Sequence, residues 1–152
     1  MSRLKNLFKK DRNKLIVFIT AGLPKKESTE DLVLQAIEGG ADMIEIGIPF
    51  SDPQADGPII QKASEIALSN GISLPIIFDQ VRSIRKKTDV PIALMGYYNP
   101  ILAYGIDNFL NDCKTSQIDG IILPDLPLDE GTFFCEKAKS DNLLLNILPV
   151  SI

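Results

Sequence analysis

The stretch ADMIEIGIPFSDPQADG, residues Ala41–Gly57, decides how this chain is read. It opens as a strand. Met43 to Ile48 is apolar and β-branched apart from one carboxylate and one glycine. Side chains alternate faces along a strand, so Ile44, Ile46 and Ile48 share one face and Met43, Glu45 and Gly47 share the other. The isoleucine face calls for an apolar cover of helices. The other face sets Glu45 beside a methionine and a glycine, with no cation among its same-face strand neighbours. Pro49 ends the strand, and an acidic loop with Asp52 and Asp56 follows. Gly57-Pro58 then opens a helix, because proline suits the first helical position. Two readings of the carboxylates stand side by side. Glu45 pairs with a Lys or Arg from elsewhere while Asp-Pro and Asp-Gly serve as turns, or Glu45 is held apart for chemistry.

The same strand–loop–helix rhythm extends to either side. Leu15–Thr20 reads as a strand buried on both faces. Ser28 and Thr29 can cap a helix to about Glu38, stopped by Gly39-Gly40. Pro58 to Ser69 is expected to be a helix burying Ile59, Ile60, Ala63, Ile66 and Ala67, closed by Asn70-Gly71. A helix from Leu74 to Lys87 carries Ile77, Val81 and Ile84 on one side, with Lys86-Lys87 suiting its dipole. Val90–Met95 is a strand and Gly96–Pro100 a loop. A helix over Ile106–Lys114, a strand over Gly120–Leu123, a helix over Glu130–Ser140 and a fifth strand over Leu143–Leu148 complete the series. At the N-terminus, Leu4, Leu7 and Phe8 fall at helical spacing and predict a short amphipathic helix over one end of the domain. Residues 1–152 read as a single domain, with a helical segment over 1–13 and βα units one to five over 14–152.

Strands alternating with helices mean a parallel α/β sheet. Polar residues recur just after strand C-termini: Thr20, Glu45 through Asp56, Tyr97 through Asn99, and Asp125. Ligands bind there in barrels and in open sheets alike. No glycine-rich dinucleotide or phosphate loop is present, so a nucleotide-binding role has no support. A net charge of −4 argues against a general nucleic-acid binder, and no apolar run approaches membrane-spanning length. The N-terminus lacks the apolar core of a signal peptide. Cys113 and Cys135 have no metal-ligand spacing and read as free thiols of a cytoplasmic protein. The sequence contains no histidine. Ser-His-Asp chemistry and His-based zinc sites are therefore excluded within it, no metal site is expected, and proton transfer falls to Asp, Glu, Lys, Tyr or water.

The run Glu45-Ile-Gly-Ile-Pro-Phe-Ser-Asp-Pro-Gln-Ala-Asp-Gly-Pro closely resembles the signature of the tryptophan synthase alpha chain family. Supporting matches follow in order along the chain: Phe18-Ile-Thr-Ala-Gly-Leu-Pro, Gly39-Gly-Ala-Asp, Met95-Gly-Tyr-Tyr-Asn-Pro and Leu123-Pro-Asp-Leu-Pro. The resemblance implies a (β/α)8 TIM barrel, with only its first five strands in this chain. It implies a carbon–carbon lyase of L-tryptophan biosynthesis that cleaves indole-3-glycerol phosphate to indole and glyceraldehyde 3-phosphate. The partner implied is a beta chain in an alpha2-beta2 tetramer. Pyridoxal phosphate belongs to that subunit, and no cofactor is expected in this one.

By the same resemblance, Glu45 is the catalytic carboxylate that shuttles a proton at indole C3. Asp56 is the second carboxylate, holding the indole N–H. Face parity with Glu45 adds Phe18, Met95, Ile122 and Ile147 as apolar surfaces suited to indole or simply as core filling. Tyr97 is expected to position Asp56. Glu45 in a low-polarity interior should have a raised pKa, while Asp56 in a wetter loop should stay ionised. Asp125 suits a turn or cap as well as a chemical step. A barrel of this kind takes about 250 residues. The family's phosphate-binding loops and its mobile loop lie in the three units beyond strand five, so little lyase activity is expected from these 152 residues alone. The alternatives are a non-catalytic segment that binds or modulates the beta subunit, and another small (β/α) enzyme or self-associating half-barrel.

Overall fold

The computed structural model describes residues 3–9, 11–126, 128–140 and 144–146. A short helix α1 (Arg3–Leu7) leads into β1 (Ile16–Thr20), α2 (Ser28–Glu38) and β2 (Met43–Gly47). Two helices, α3 (Pro58–Ser69) and α4 (Leu74–Arg85), precede β3 (Ile92–Met95). Two more, α5 (Tyr98–Tyr104) and α6 (Ile106–Thr115), precede β4 (Gly120–Ile122), and α7 (Leu128–Ser140) leads to β5 (Leu144–Asn146). All pairings are parallel, and the spatial order β1-β2-β3-β4-β5 repeats the chain order. Every crossover thus steps the same way, and among the described strands there is no reversal of the kind that marks a doubly wound sheet.

The two faces of the sheet bury different things. Ile44, Ile46, Ile92, Leu94 and Ile121 share one core with Val33, Ala67, Ile77, Phe78, Val81, Ile84, Phe109, Leu110 and Phe134 from the helices. The opposite face holds a smaller cluster of Met43, Ala93 and Ile122 with Leu4 of α1, against which Leu7 and Met95 pack. The short N-terminal helix therefore covers one end of the inner face. It spans only five residues of the 1–13 segment, and Phe8 stays 61% exposed.

At that end, Arg85 and Asp119 form an ion pair with both side chains almost fully buried. Asp119 Oδ2 also accepts the Ile92 N–H at 3.0 Å, and Arg85 donates to Val90 O at 2.6 Å and Gln117 O at 3.1 Å. Arg3 of α1 reaches the same carboxylate at 3.3 Å and the Gln117 amide oxygen at 2.8 Å. The connections before β3 and β4 are thus clamped to each other and to α1.

Four local expectations are corrected. β1 is not buried on both faces: Leu15 and Ile16 are exposed and Val17 to Ile19 half-buried, because β1 pairs only with β2 among the described strands. Ser28 and Thr29 do not cap α2. Its N-cap is Glu27 without a side-chain bond, and the Thr29 hydroxyl instead accepts the Gly22 N–H at 3.0 Å. Ile59 and Ile66 of α3 are exposed, since the helix turns Ala63, Ser64 and Ala67 inward. The loop expected after β3 becomes α5 from Tyr98 onward.

Candidate active site

The register places two rungs of residues across the C-terminal half of the inner face. The first runs Phe18, Glu45, Ala93, Gly120; the second runs Thr20, Gly47, Met95, Ile122, Asn146. Glu45 is half-buried between Phe18 and Ala93. Among the described residues no side chain bonds or ion-pairs with it, and burial alone pushes its carboxyl above the ordinary range. Among the described residues no Lys or Arg supplies the pairing that the alternative reading required.

Gly47 on the second rung is needed for space. A Cβ there would stand 2.4 Å from Cζ of Phe18 and 2.8 Å from Cε2, so the ring lies directly over the glycine. Gly47→Ala is expected to drive the ring off this position and to lower stability by about 1–3 kcal/mol, toward the lower end because the half-buried ring has room to turn. Urea unfolding measures the loss, and ring-proton contacts to residue 47 report the displacement.

The acidic loop is fastened from outside itself. The buried Tyr97 hydroxyl accepts the Ala55 N–H at 2.9 Å and donates to Asp56 Oδ2 at 3.1 Å. Burial, helped by the Asp56 charge, pushes the Tyr97 phenol up to about 12, so it stays a donor. The Phe50 ring packs on Tyr97 with centroids 5.5 Å apart. From α3, Gln61 donates to Asp56 O at 2.9 Å. Asp52 remains exposed and accepts the neighbouring Ser51 hydroxyl at 3.2 Å.

Phe18, Met95, Asp56 and Tyr97 line one small cavity with Thr20, Gly47, Ile48, Ile60, Ser64 and Gly96. Its volume is about 10 Å³, room for no more than a single water. Glu45 and Ile122 lie outside that lining, on the open inner face beside it.

Against this geometry, the family model described as tryptophan synthase alpha chain matches residues 4–151. The chain belongs to the tryptophan synthase alpha chain family. The tryptophan synthase alpha chain of Petrotoga mobilis is 48% identical over 143 residues, covering 94% of this chain and 55% of the relative. That of Geotalea daltonii is 47% identical over 152 residues, covering 97% and 57%. The crystal structure of the alpha subunit from Legionella pneumophila superposes with a TM-score of 0.90 at 40% identity, over 95% of this chain and 57% of that one. A chain of the tryptophan synthase complex from Pyrococcus furiosus gives 0.84 at 43% identity, over 90% and 56%. The chain thus spans about half the length of the relatives it matches. A different small (β/α) enzyme has no support in these likenesses.

Ile147 lies outside the described residues, and the residue that the register sets beside Ile122 is Asn146. Asp125 is a cap: both of its carboxylate oxygens accept the Tyr98 N–H, at 2.9 and 3.0 Å, at the start of α5. Thr20, one of the strand-end polar residues, and Ser64, which the sequence reading does not include, are both buried and complete the polar lining. Ser64 had a faint signal: it falls four residues after Ile60 on the inward stripe of α3. Among the described residues no three of Cys, Asp or Glu gather as a metal site, and no helix is long and apolar enough to cross a membrane.

Proposed function

We propose that this chain carries the acid–base residues of a carbon–carbon lyase that cleaves indole-3-glycerol phosphate to indole and glyceraldehyde 3-phosphate. The observation that carries the reading is Glu45, a half-buried carboxylate set between Phe18 and Ala93 that no other described side chain pairs with. The reaction is a retro-aldol cleavage. Glu45 delivers a proton to indole C3 and, as carboxylate, takes one from the glycerol hydroxyl. The bond between C3 and the carbinol carbon breaks, its electrons restore the aromatic ring, and the carbinol becomes the aldehyde. A carboxyl with a raised pKa suits both halves of this exchange, worth about 10²–10⁴ in rate. Asp56, held by Tyr97, accepts the indole N–H and balances the positive charge on the protonated ring. Phe18, Met95, Tyr97 and Ile122 supply the apolar walls.

The 10 Å³ cavity holds no indole, so the ring takes its place on the open inner face next to Glu45. The partner proposed is a tryptophan synthase beta chain, which holds the pyridoxal phosphate. A Pyrococcus furiosus relative solved as an a2b2 complex supports this pairing. The free thiols of Cys113 and Cys135 suit a cytoplasmic setting. The experiment is indole release from indole-3-glycerol phosphate by the 152-residue chain, alone and mixed with the stretch of a full-length relative that it does not span. Turnover is expected to be weak alone and clearly raised in the mixture. A mixture that assembles yet releases no indole would refute the assignment.

A further inference from the structure

We infer that Asp125 is a positioning residue for Asp56, acting across two loops through the start of α5. The inference rests on the proposed role of Asp56 and extends it to a residue outside the lining of the cavity that Asp56 shares. The connection is made of measured contacts. The Asp125 carboxylate, from the loop after β4, takes the Tyr98 N–H on both oxygens. Tyr98 is the first residue of α5, and Tyr97 is its N-cap with φ −97° and ψ 154°. The backbone at 97–98 sets the direction of the Tyr97 side chain. The hydroxyl of that side chain holds the Ala55 N–H and Asp56 Oδ2 together.

Asp125 has a helix of seven residues to hold, with no cap from within its own segment. A helix this short is not self-stabilising, so its first turn depends on an outside acceptor. The Tyr98 ring packs edge-on to Phe134 of α7 at 5.8 Å, which ties α5 to the same βα unit that carries Asp125. Tyr97 has few alternatives once α5 is placed: it is buried and stacked against Phe50. The Asp56 backbone is held by its N–H to Pro53 O at 3.3 Å and by Gln61 on its carbonyl at 2.9 Å, while among the described residues its side chain is held by Tyr97. Loss of the cap should therefore be felt 27 residues away at Tyr98 and, through it, at Ala55.

The test is amide hydrogen exchange on the 152-residue chain, read at Tyr98, at Ala55 and at Ile46 in the sheet core. In Asp125→Ala, exchange at Tyr98 and at Ala55 is expected to rise about 10-fold or more relative to Ile46. Asp125→Asn keeps one acceptor oxygen and should restore most of the protection at both positions. Tyr97→Phe should release Ala55 while leaving Tyr98 protected, which fixes the direction of the coupling. Faster exchange at Tyr98 with Ala55 unchanged would overturn the inference and leave Asp125 a local cap. No change at either amide would overturn it as well. If Asp125→Ala does not fold, Asp125→Leu, which keeps the branched side-chain shape and removes the acceptor, is read by the same ratio and must raise exchange at both Tyr98 and Ala55. Exchange is independent of turnover, so the coupling and the lyase assignment fail separately.

Discussion

Replacing Glu45 by Gln is expected to remove about 10²–10⁴ of the lyase rate and, at the same time, to make the folded chain more stable at neutral pH. The first half follows from the proposed chemistry. An amide of the same shape neither gives up nor takes the proton that C3 and the carbinol oxygen exchange. The second half follows from burial. Among the described residues Glu45 has no partner to compensate its desolvation, and burial raises its carboxyl in the fold. A group that binds its proton more tightly when folded adds stability below its unfolded pKa of about 4.3 and loses that contribution as pH rises through the folded value. At neutral pH the charged carboxylate is thus a cost to the fold, and Gln carries none of it.

Thermal unfolding at about pH 8 should place Glu45→Gln above the parent, by about 2–4 °C for each kcal/mol relieved, and the gap should close near pH 4. Indole release in the mixture with the complementary stretch measures the rate. Unchanged turnover would remove Glu45 from the chemistry. A variant that is inactive and also less stable at pH 8 would mean that Glu45 is bonded in solution.

The parts of the fold that were legible in the sequence are those set by local periodicity. The alternation of Ile44, Ile46 and Ile48 against Met43, Glu45 and Gly47 is the division between the two cores that the sheet makes. α3 and α4 begin where Pro58 and Leu74 predict, since helix starts are written in proline and capping residues. What stayed hidden depends on groups far apart in sequence. Tyr98-Asn-Pro100 reads as a loop because Asn-Pro favours turns. Yet proline is tolerated in a helix's first turn, where its missing N–H is not needed, and the cap that allows α5 comes from Asp125. The hold of Tyr97 on Asp56 spans 41 residues. Its partner could be guessed from the family signature but not from spacing. The exposure of β1 has the same origin: an apolar run announces a strand, while its neighbours decide how much of it is covered. Gly47 shows the converse. A glycine ordinarily weakens a strand interior, and here it leaves the space that the end of the Phe18 ring fills on the face that holds Glu45.

The ion pair at the other end of the sheet carries the largest stability effect. Asp119→Ala should destabilise the fold by about 3–5 kcal/mol, a large part of the roughly 5–15 kcal/mol a domain has. The side chains of Arg85 and Asp119 are only 4% and 7% exposed. Removing the carboxylate leaves a buried guanidinium without its counter-charge and deprives the Ile92 N–H of its side-chain acceptor at the entry to β3. Arg3 loses one of its two ion pairs, yet Arg3→Ala alone should cost about 1 kcal/mol or less, because its pair with Asp89 is exposed. The midpoint of urea unfolding ranks these variants. Replacing Arg85 and Asp119 together by apolar residues of similar volume separates two accounts of the clamp. If the cost of Asp119→Ala is the stranded charge, the double replacement recovers most of it. If the cost lies in the backbone groups that the pair also holds, at Val90 and Gln117 from Arg85 and at Ile92 from Asp119, the double variant stays as unstable as the single one. A cost below about 1 kcal/mol for Asp119→Ala would refute both.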